Sequence, residues 1–274
     1  MTDTISLPLK PHSPMVMILL KDNVLLGQEQ VQKKIVEILG PGTSLSFSGE
    51  GADQSGVITW RDQNFAVFTV DHAVPETEFF ATLRMSPNGE ELTQIVKNHG
   101  AHMVISPLDG GGDMGAAINQ SITLMAFATG MAELGQVMGY FWSTSEHLLT
   151  PDGFNGALEQ ALDAASGGEN QPQQLPVSFW VSIRPFSDKN KTAVLTQGLN
   201  AFTGYETEIA FVDRPADVLF ARMSNIVMYL FANGPVLQPG QSIGVSESEQ
   251  FDVSLEPHVQ TGTPTMMLRL QEGS

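Results

Sequence analysis

No cysteine occurs among the 274 residues. Its absence removes disulfides, thiolate nucleophiles, iron–sulfur clusters and every Cys-based zinc site, and it accords with a reducing compartment. Basic residues are scarce: 13 Lys and Arg stand against 30 Asp and Glu, a net charge of −17. A field of that sign repels phosphate backbones and anionic lipid, so neither nucleic acid nor a membrane is an expected partner. Long apolar runs are missing too. The richest stretch, 114–134, is interrupted by Asn119, Gln120, Ser121, Thr123, Thr129 and Glu133, whereas a membrane span needs about 20 mostly apolar residues. Asp3 and Pro14 stand where a signal peptide carries Lys or Arg and an unbroken apolar core, so the expected location is cytoplasmic.

What is present describes a chain able to bury a core. Hydrophobic residues make up 42% and charged residues 16%, with 26 glycines and 16 prolines. These values exclude a coiled coil, a collagen-like repeat and a wholly disordered chain. The sharpest break is the polar Gly/Gln/Pro run at 166–176, which reads as a linker between an N-terminal subdomain at 1–165 and a C-terminal one at 177–274. A second Gly- and Ser-rich stretch, 46–55, reads as a loop within the first half.

Apolar patterning predicts a strand at 15–20, a helix over 28–39 stopped by Gly40-Pro41, and a hairpin of 57–61 and 65–70 turning at Asp62-Gln63-Asn64. A helix capped by Ser86, with Pro87 in its first turn and Gly100 at its end, then leads to a strand at 101–106. The order strand, helix, hairpin, helix, strand matches a ferredoxin-like split βαβ unit. A helix from Met114, a strand at 137–142 and a helix at 154–162 complete this half. In the second half, strands are expected at 177–183, 193–196, 207–212, 242–245, 251–255 and 265–270. One long helix there is opened by Asp213-Arg214-Pro215 and ended by Gly234. The expected fold class is α+β, two subdomains of mostly antiparallel sheet with helices packed on one face.

The second half carries a family likeness. Thr196-Gln197-Gly198-Leu199-Asn200-Ala201-Phe202, then Glu206-Thr207-Glu208-Ile209, the proline-initiated helix, Pro239-Gly240-Gln241-Ser242-Ile243-Gly244 and Met266-Met267-Leu268-Arg269-Leu270 resemble a bacterial family called domain of unknown function 4261, over about residues 178–270. The likeness lies in glycines, glutamates and apolar runs. It implies a fold and a bacterial source, and it carries no activity or site residues across.

Residues able to do chemistry are scattered. Asp109-Gly110-Gly111-Gly112-Asp113 lies between a strand and a helix, where phosphate loops occur, but its spacing departs from both common phosphate motifs and two aspartates would repel the phosphate. Asp113 suits a helix N-cap. A metal on Asp109 and Asp113 has no clear third ligand, and no cofactor is expected. None of the six histidines has zinc-helix spacing; His99 at a helix C-terminus suits a charge against the dipole. Asp71 and His72, ending one strand, and His102, starting another, would form an acid–base site or a plain loop-end pair. Glu206 and Glu208 alternate on a strand, a pattern shared by acid–base pairs and by solvated strand faces, the second being commoner. Trp60, Trp142 and Trp180 sit in apolar runs and read as core.

Three functions follow as expectations. The first is a non-enzymatic protein-binding protein, such as an immunity or accessory factor of a bacterial toxin or secretion system, whose acidic surface docks a basic partner. The second is a hydrolase-like or metal-dependent enzyme with a site around Asp71, His72, His102, Asp109 and Asp113. The third is an assembly or scaffold subunit using edge strands.

Overall fold

Apolar at every position, Val16–Leu20 (β1) has to be covered on both faces, and the structure does so. The computed structural model describes residues 13–22, 28–48, 55–61, 63–110, 112–166, 172–246, 249–259 and 261–271. After β1 come α1 (Gln28–Leu39), β2 (Thr43–Ser48), β3 (Ser55–Trp60), β4 (Gln63–Val70), α2 (Phe80–Met85), α3 (Gly89–Asn98) and β5 (Ala101–Pro107). Then follow α4 (Met114–Ala132), β6 (Val137–Trp142), β7 (His147–Leu149) and α5 (Pro151–Ser166). The seven strands form one sheet in the order β2-β3-β4-β5-β1-β6-β7, every neighbouring pair antiparallel.

This order is not that of a ferredoxin-like unit, in which the second strand of the hairpin would lie beside β1. The expected loop at 46–55 begins within a strand, β2, and its remainder at 49–54 is outside the described residues. With β2 added, the hairpin becomes a three-strand meander, which reverses the direction of β4. Running parallel to β1, β4 pairs instead with β5, and β5 enters between them. Helices also occupy both faces of this sheet, not one. Ile18 and Leu20 join a core with Met125, Phe127 and Leu158 of α4 and α5. Leu19 and Phe141 join Leu92, Ile95 and Val96 of α3 on the other side.

Two local expectations are corrected here. Ser86 ends α2, its hydroxyl donating to the Thr82 carbonyl at 2.9 Å, and α3 starts later, with Asn88 as the N-cap residue. His99 is buried and bridges two backbone groups: its Nε2 accepts from the Val74 N–H at 2.9 Å while Nδ1 meets the Val96 carbonyl at 2.7 Å. A ring accepting at one nitrogen and donating at the other is neutral, so it is a structural clip and no countercharge to the helix dipole.

The second half contains α6 (Val177–Trp180), β8 (Ser182–Asp188), β9 (Lys191–Gln197), α7 (Asn200–Thr203), β10 (Glu206–Val212), α8 (Ala216–Asn233), β11 (Ser242–Ser246), β12 (Glu249–Pro257) and β13 (Pro264–Leu270). Its sheet order is β11-β12-β13-β10-β9-β8, antiparallel except for β10 with β13. Leu219, Met223, Ile226 and Leu230 recur at helical spacing and form the buried side of α8. The expected strand at 177–183 is a turn of helix followed by β8, because Val177, Phe179 and Trp180 are all buried, which alternation along a half-covered strand does not allow. Two mostly antiparallel sheets with packed helices make the fold α+β.

One buried apolar cluster runs through both halves. Trp180 is its junction: the indole N–H points at the Met125 sulfur of α4 at 3.3 Å, and the ring stacks on Phe202 at 5.4 Å. Of the expected linker, 167–171 lie outside the described residues; Pro172–Gln174 form a 3-10 turn, and Leu175 and Pro176 are buried. No helix among the described residues is long and apolar enough to cross a membrane.

Candidate functional site

The residues singled out from sequence do not converge. His102 opens β5 and Asp109 follows its end, so about 20 Å of extended strand separates them. His72 and His102 do meet, with ring centroids 5.8 Å apart and His102 Nδ1 2.9 Å from the His72 carbonyl, and burial lowers the His102 pKa. The neighbouring Asp71 and His72 are exposed. At the other end, the Asp109 carboxylate accepts from the backbone and side-chain nitrogens of Asn64, both at 2.9 Å, stapling the β3–β4 hairpin. Asp113 caps α4 by accepting from the Ala116 N–H at 2.9 Å; Gly111 and Asp62 lie outside the described residues. No three His, Asp or Glu side chains among the described residues are grouped to hold a metal. Trp142 and Trp180 are fully buried, while Trp60 is half-buried beneath the Arg61 guanidinium at 4.4 Å.

A different place stands out. A cleft of about 740 Å³ opens between the two sheets, walled by β7, the start of β8, α6, α8 and the α2–α3 connection. This volume is in the range of ligand pockets. Met85 and Phe220, each about half exposed, stand on opposite walls. Among the lining residues the formal charges are those of Glu146 and Arg184, which pair with each other at 2.8 Å.

The turn before β7 shapes the polar part of the cleft. Glu146 takes a left-handed backbone, φ 52°, held by the Thr82 hydroxyl on its carbonyl at 2.7 Å. Ser145 is fully buried and donates to the Phe179 carbonyl of α6 at 2.8 Å, and Ser182 of β8 donates back to the Ser145 carbonyl at 3.0 Å. His147 Nδ1 lies 2.8 Å from the same Phe179 carbonyl. A carbonyl only accepts, so Nδ1 carries the proton and Nε2 presents a lone pair, without a hydrogen-bond partner among the described groups. Burial first, then the charge of Arg184, lowers the His147 pKa against that hydrogen bond. The ring is therefore neutral near pH 7.

Beneath the cleft, Gly198 packs closely against the backbone of Trp180 in α6 and of Ser145 in the first half. Its φ is +99°, and a Cβ there would lie 2.4 Å from the Trp180 carbonyl oxygen and 3.1 Å from the Ser145 nitrogen. Only glycine meets both demands. The turn it begins is held by Glu206, whose Oε1 accepts from the N–H groups of Gly198 at 2.8 Å and Asn200 at 3.4 Å. Oε2 takes the Thr196 hydroxyl at 2.7 Å and the Leu199 N–H at 3.2 Å. Burial pushes the Glu206 pKa up to about 7, opposed by these four hydrogen bonds. Glu208 stays half-buried beside His258 Nε2 at 3.8 Å, so the two glutamates, alternate on one strand, do not act as a pair.

Sequence reasoning missed the cleft because its polar groups come from distant segments: Glu146 and Arg184 are 38 positions apart, and no motif links them. His147 is one of six scattered histidines, and only the fold distinguishes it.

The fold and site define an α+β protein with two sheets on a shared core and a cleft between sheet edges. Its C-terminal part, residues 195–271, matches the family model described as Domain of unknown function (DUF4261). Comparison with curated proteins and with solved structures found no match. The matched segment contains Glu206, the Gly198 turn and α8, whereas β7, α6 and β8 precede it.

Proposed function

We propose that this chain is a non-enzymatic protein-binding protein that docks a basic partner and takes one segment of it into the cleft between the two sheets. The observation that carries this reading is the character of the cleft: apolar walls, two large exposed apolar side chains at its sides, a neutral histidine and one ion pair, Glu146 with Arg184, whose Arg184 Nε is buried without a hydrogen-bond partner among the described groups. Acidic groups flank it, Asp217 one turn before Phe220 on α8 and Glu90 and Glu91 just after Asn88 on α3. A segment with apolar residues between basic ones suits such walls and rims. The overall charge of −17 favours the same sign of partner. An immunity or accessory factor of a bacterial toxin or secretion system would use such a surface to hold its target.

The test is a titration with end-blocked octapeptides alternating Val with Lys or Val with Glu, followed by fluorescence anisotropy. The Lys peptide should bind, with an association rate that falls as salt rises to physiological strength, where the screening length is about 8 Å. Ser224→Trp, which places an indole in the cleft from α8, should abolish binding while thermal unfolding stays cooperative. Equal binding of both peptides, or binding unaffected by S224W, would overturn the reading.

A further inference from the structure

The cleft meets two strands edge-on. Consecutive strand residues point to opposite faces of a sheet, so a cavity bounded by one face touches every second residue. This one touches all three residues of β7 and the first four of β8. Each is the last strand of its sheet, and such an edge leaves one row of backbone N–H and C=O groups unpaired. Apart from its ladder with β9, the backbone of β8 from Ile183 to Ser187 bonds no described group. Pro185 sets which groups those are. Proline has no N–H to give a ladder and is tolerated where its nitrogen faces the open side. Backbone direction alternates along the strand, so the N–H and C=O of Ile183 also face outward, as does the Pro185 carbonyl.

Resting on the docking proposal above, we infer that the partner segment binds as an added β-strand on the open edge of β8, its backbone paired at Ile183 and the Pro185 carbonyl and its alternate side chains received between the walls of α6 and α8. A strand lies about 4.8 Å from its neighbour and rises about 3.3 Å per residue, so three or four residues of a partner lie along this stretch. The missing N–H of Pro185 interrupts donors from β8 at that point, which keeps the pairing short and works against pairing along the whole edge. His147 Nε2, a free acceptor on the opposite wall, suits an amide or ammonium N–H of the segment. The basic residues on the outward side of the added strand would lie toward Asp217, Glu90 and Glu91. Recognition is then by backbone and by alternation of apolar with basic residues, so the class of partner is an extended segment of a basic protein and not an amphipathic helix.

The experiment uses the full chain and two N-methylated versions of the Val–Lys octapeptide, methylated at odd or at even positions. Strand pairing uses every second amide on one side, so one pattern should weaken binding about tenfold or more and the other should bind within about threefold of the unmethylated peptide. Ile183→Pro should weaken the unmethylated peptide to a similar degree, with cooperative unfolding retained. Equal tolerance or equal loss for the two methylation patterns would overturn strand addition; the docking proposal would then still stand if the parent peptide binds and S224W blocks it. No binding of the parent peptide would remove both. Peptide-free sedimentation showing a dimer that I183P dissolves would also overturn it, because the edge would then serve a second copy of this chain.

Discussion

Replacing Glu206 by Gln tests how the turn beneath the cleft is held. The substitution keeps the volume and one acceptor oxygen, but puts an NH₂ opposite two of the four donors that now reach the carboxylate. A buried donor left without an acceptor costs about 1–3 kcal/mol. The pH dependence runs the other way. A carboxyl whose pKa is raised by burial from 4.5 to about 7 contributes stability that is fully present below about 4.5 and is lost as pH rises through about 7. That rise corresponds to roughly 3 kcal/mol. Urea unfolding of both proteins at pH 5 and pH 8 should therefore give a stability advantage for the parent chain that shrinks by roughly 2 to 3 kcal/mol from the lower to the higher pH. Other titrating groups are shared by both chains and drop out of the difference. An advantage that grows with pH would refute the reasoning, because the four donors would then be holding the carboxylate ionised against its burial.

Gly198→Ala combines an unfavourable φ with a Cβ against the Trp180 carbonyl, so it should cost about 2 kcal/mol or more in urea and lower peptide binding by displacing α6. Trp180→Ala empties the junction of both halves and should cost about 3–5 kcal/mol, read as a fall in thermal midpoint. His147 and His102 both have lowered pKa values, so the unfolded chain takes up protons first and stability falls as pH drops below about 6.5. His147→Asn, which retains a donor for the Phe179 carbonyl, should reduce that fall between pH 7.5 and 5.5 in chemical denaturation.

Where local chemistry decides structure, the sequence is legible. Gln28–Leu39 is helical over the span its periodicity predicts, β6 occupies 137–142, and Asp113 caps α4. The long helix of the second half opens after Pro215 and closes at Gly234 as expected. Legibility fails where tertiary packing outweighs composition. Thr43–Ser48 has four hydroxyl residues and its last three positions fall in the stretch that reads as loop, yet pairing with β3 makes it a strand, and this one strand reverses the path of the meander. Val177–Trp180 has strand-forming residues but coils so that three of its four side chains are buried. Three-residue β7 is too short to show any period. The cleft is a product of those short elements, and so it escaped a reading by motif. Glu206 and Glu208 were visible as a pair on one face, but not that the turn at Gly198 would claim the first of them.

The most direct test of the docking account is residue-resolved amide exchange with and without a saturating Val–Lys octapeptide. The account predicts that the Ile183 amide exchanges rapidly in the free protein and gains strong protection in the complex, while amides of β12, in the middle of the second sheet's far side, stay unchanged. Protection that appears instead along β7, β2 or β11, the other edge strands, or that leaves Ile183 as fast as before, would contradict it.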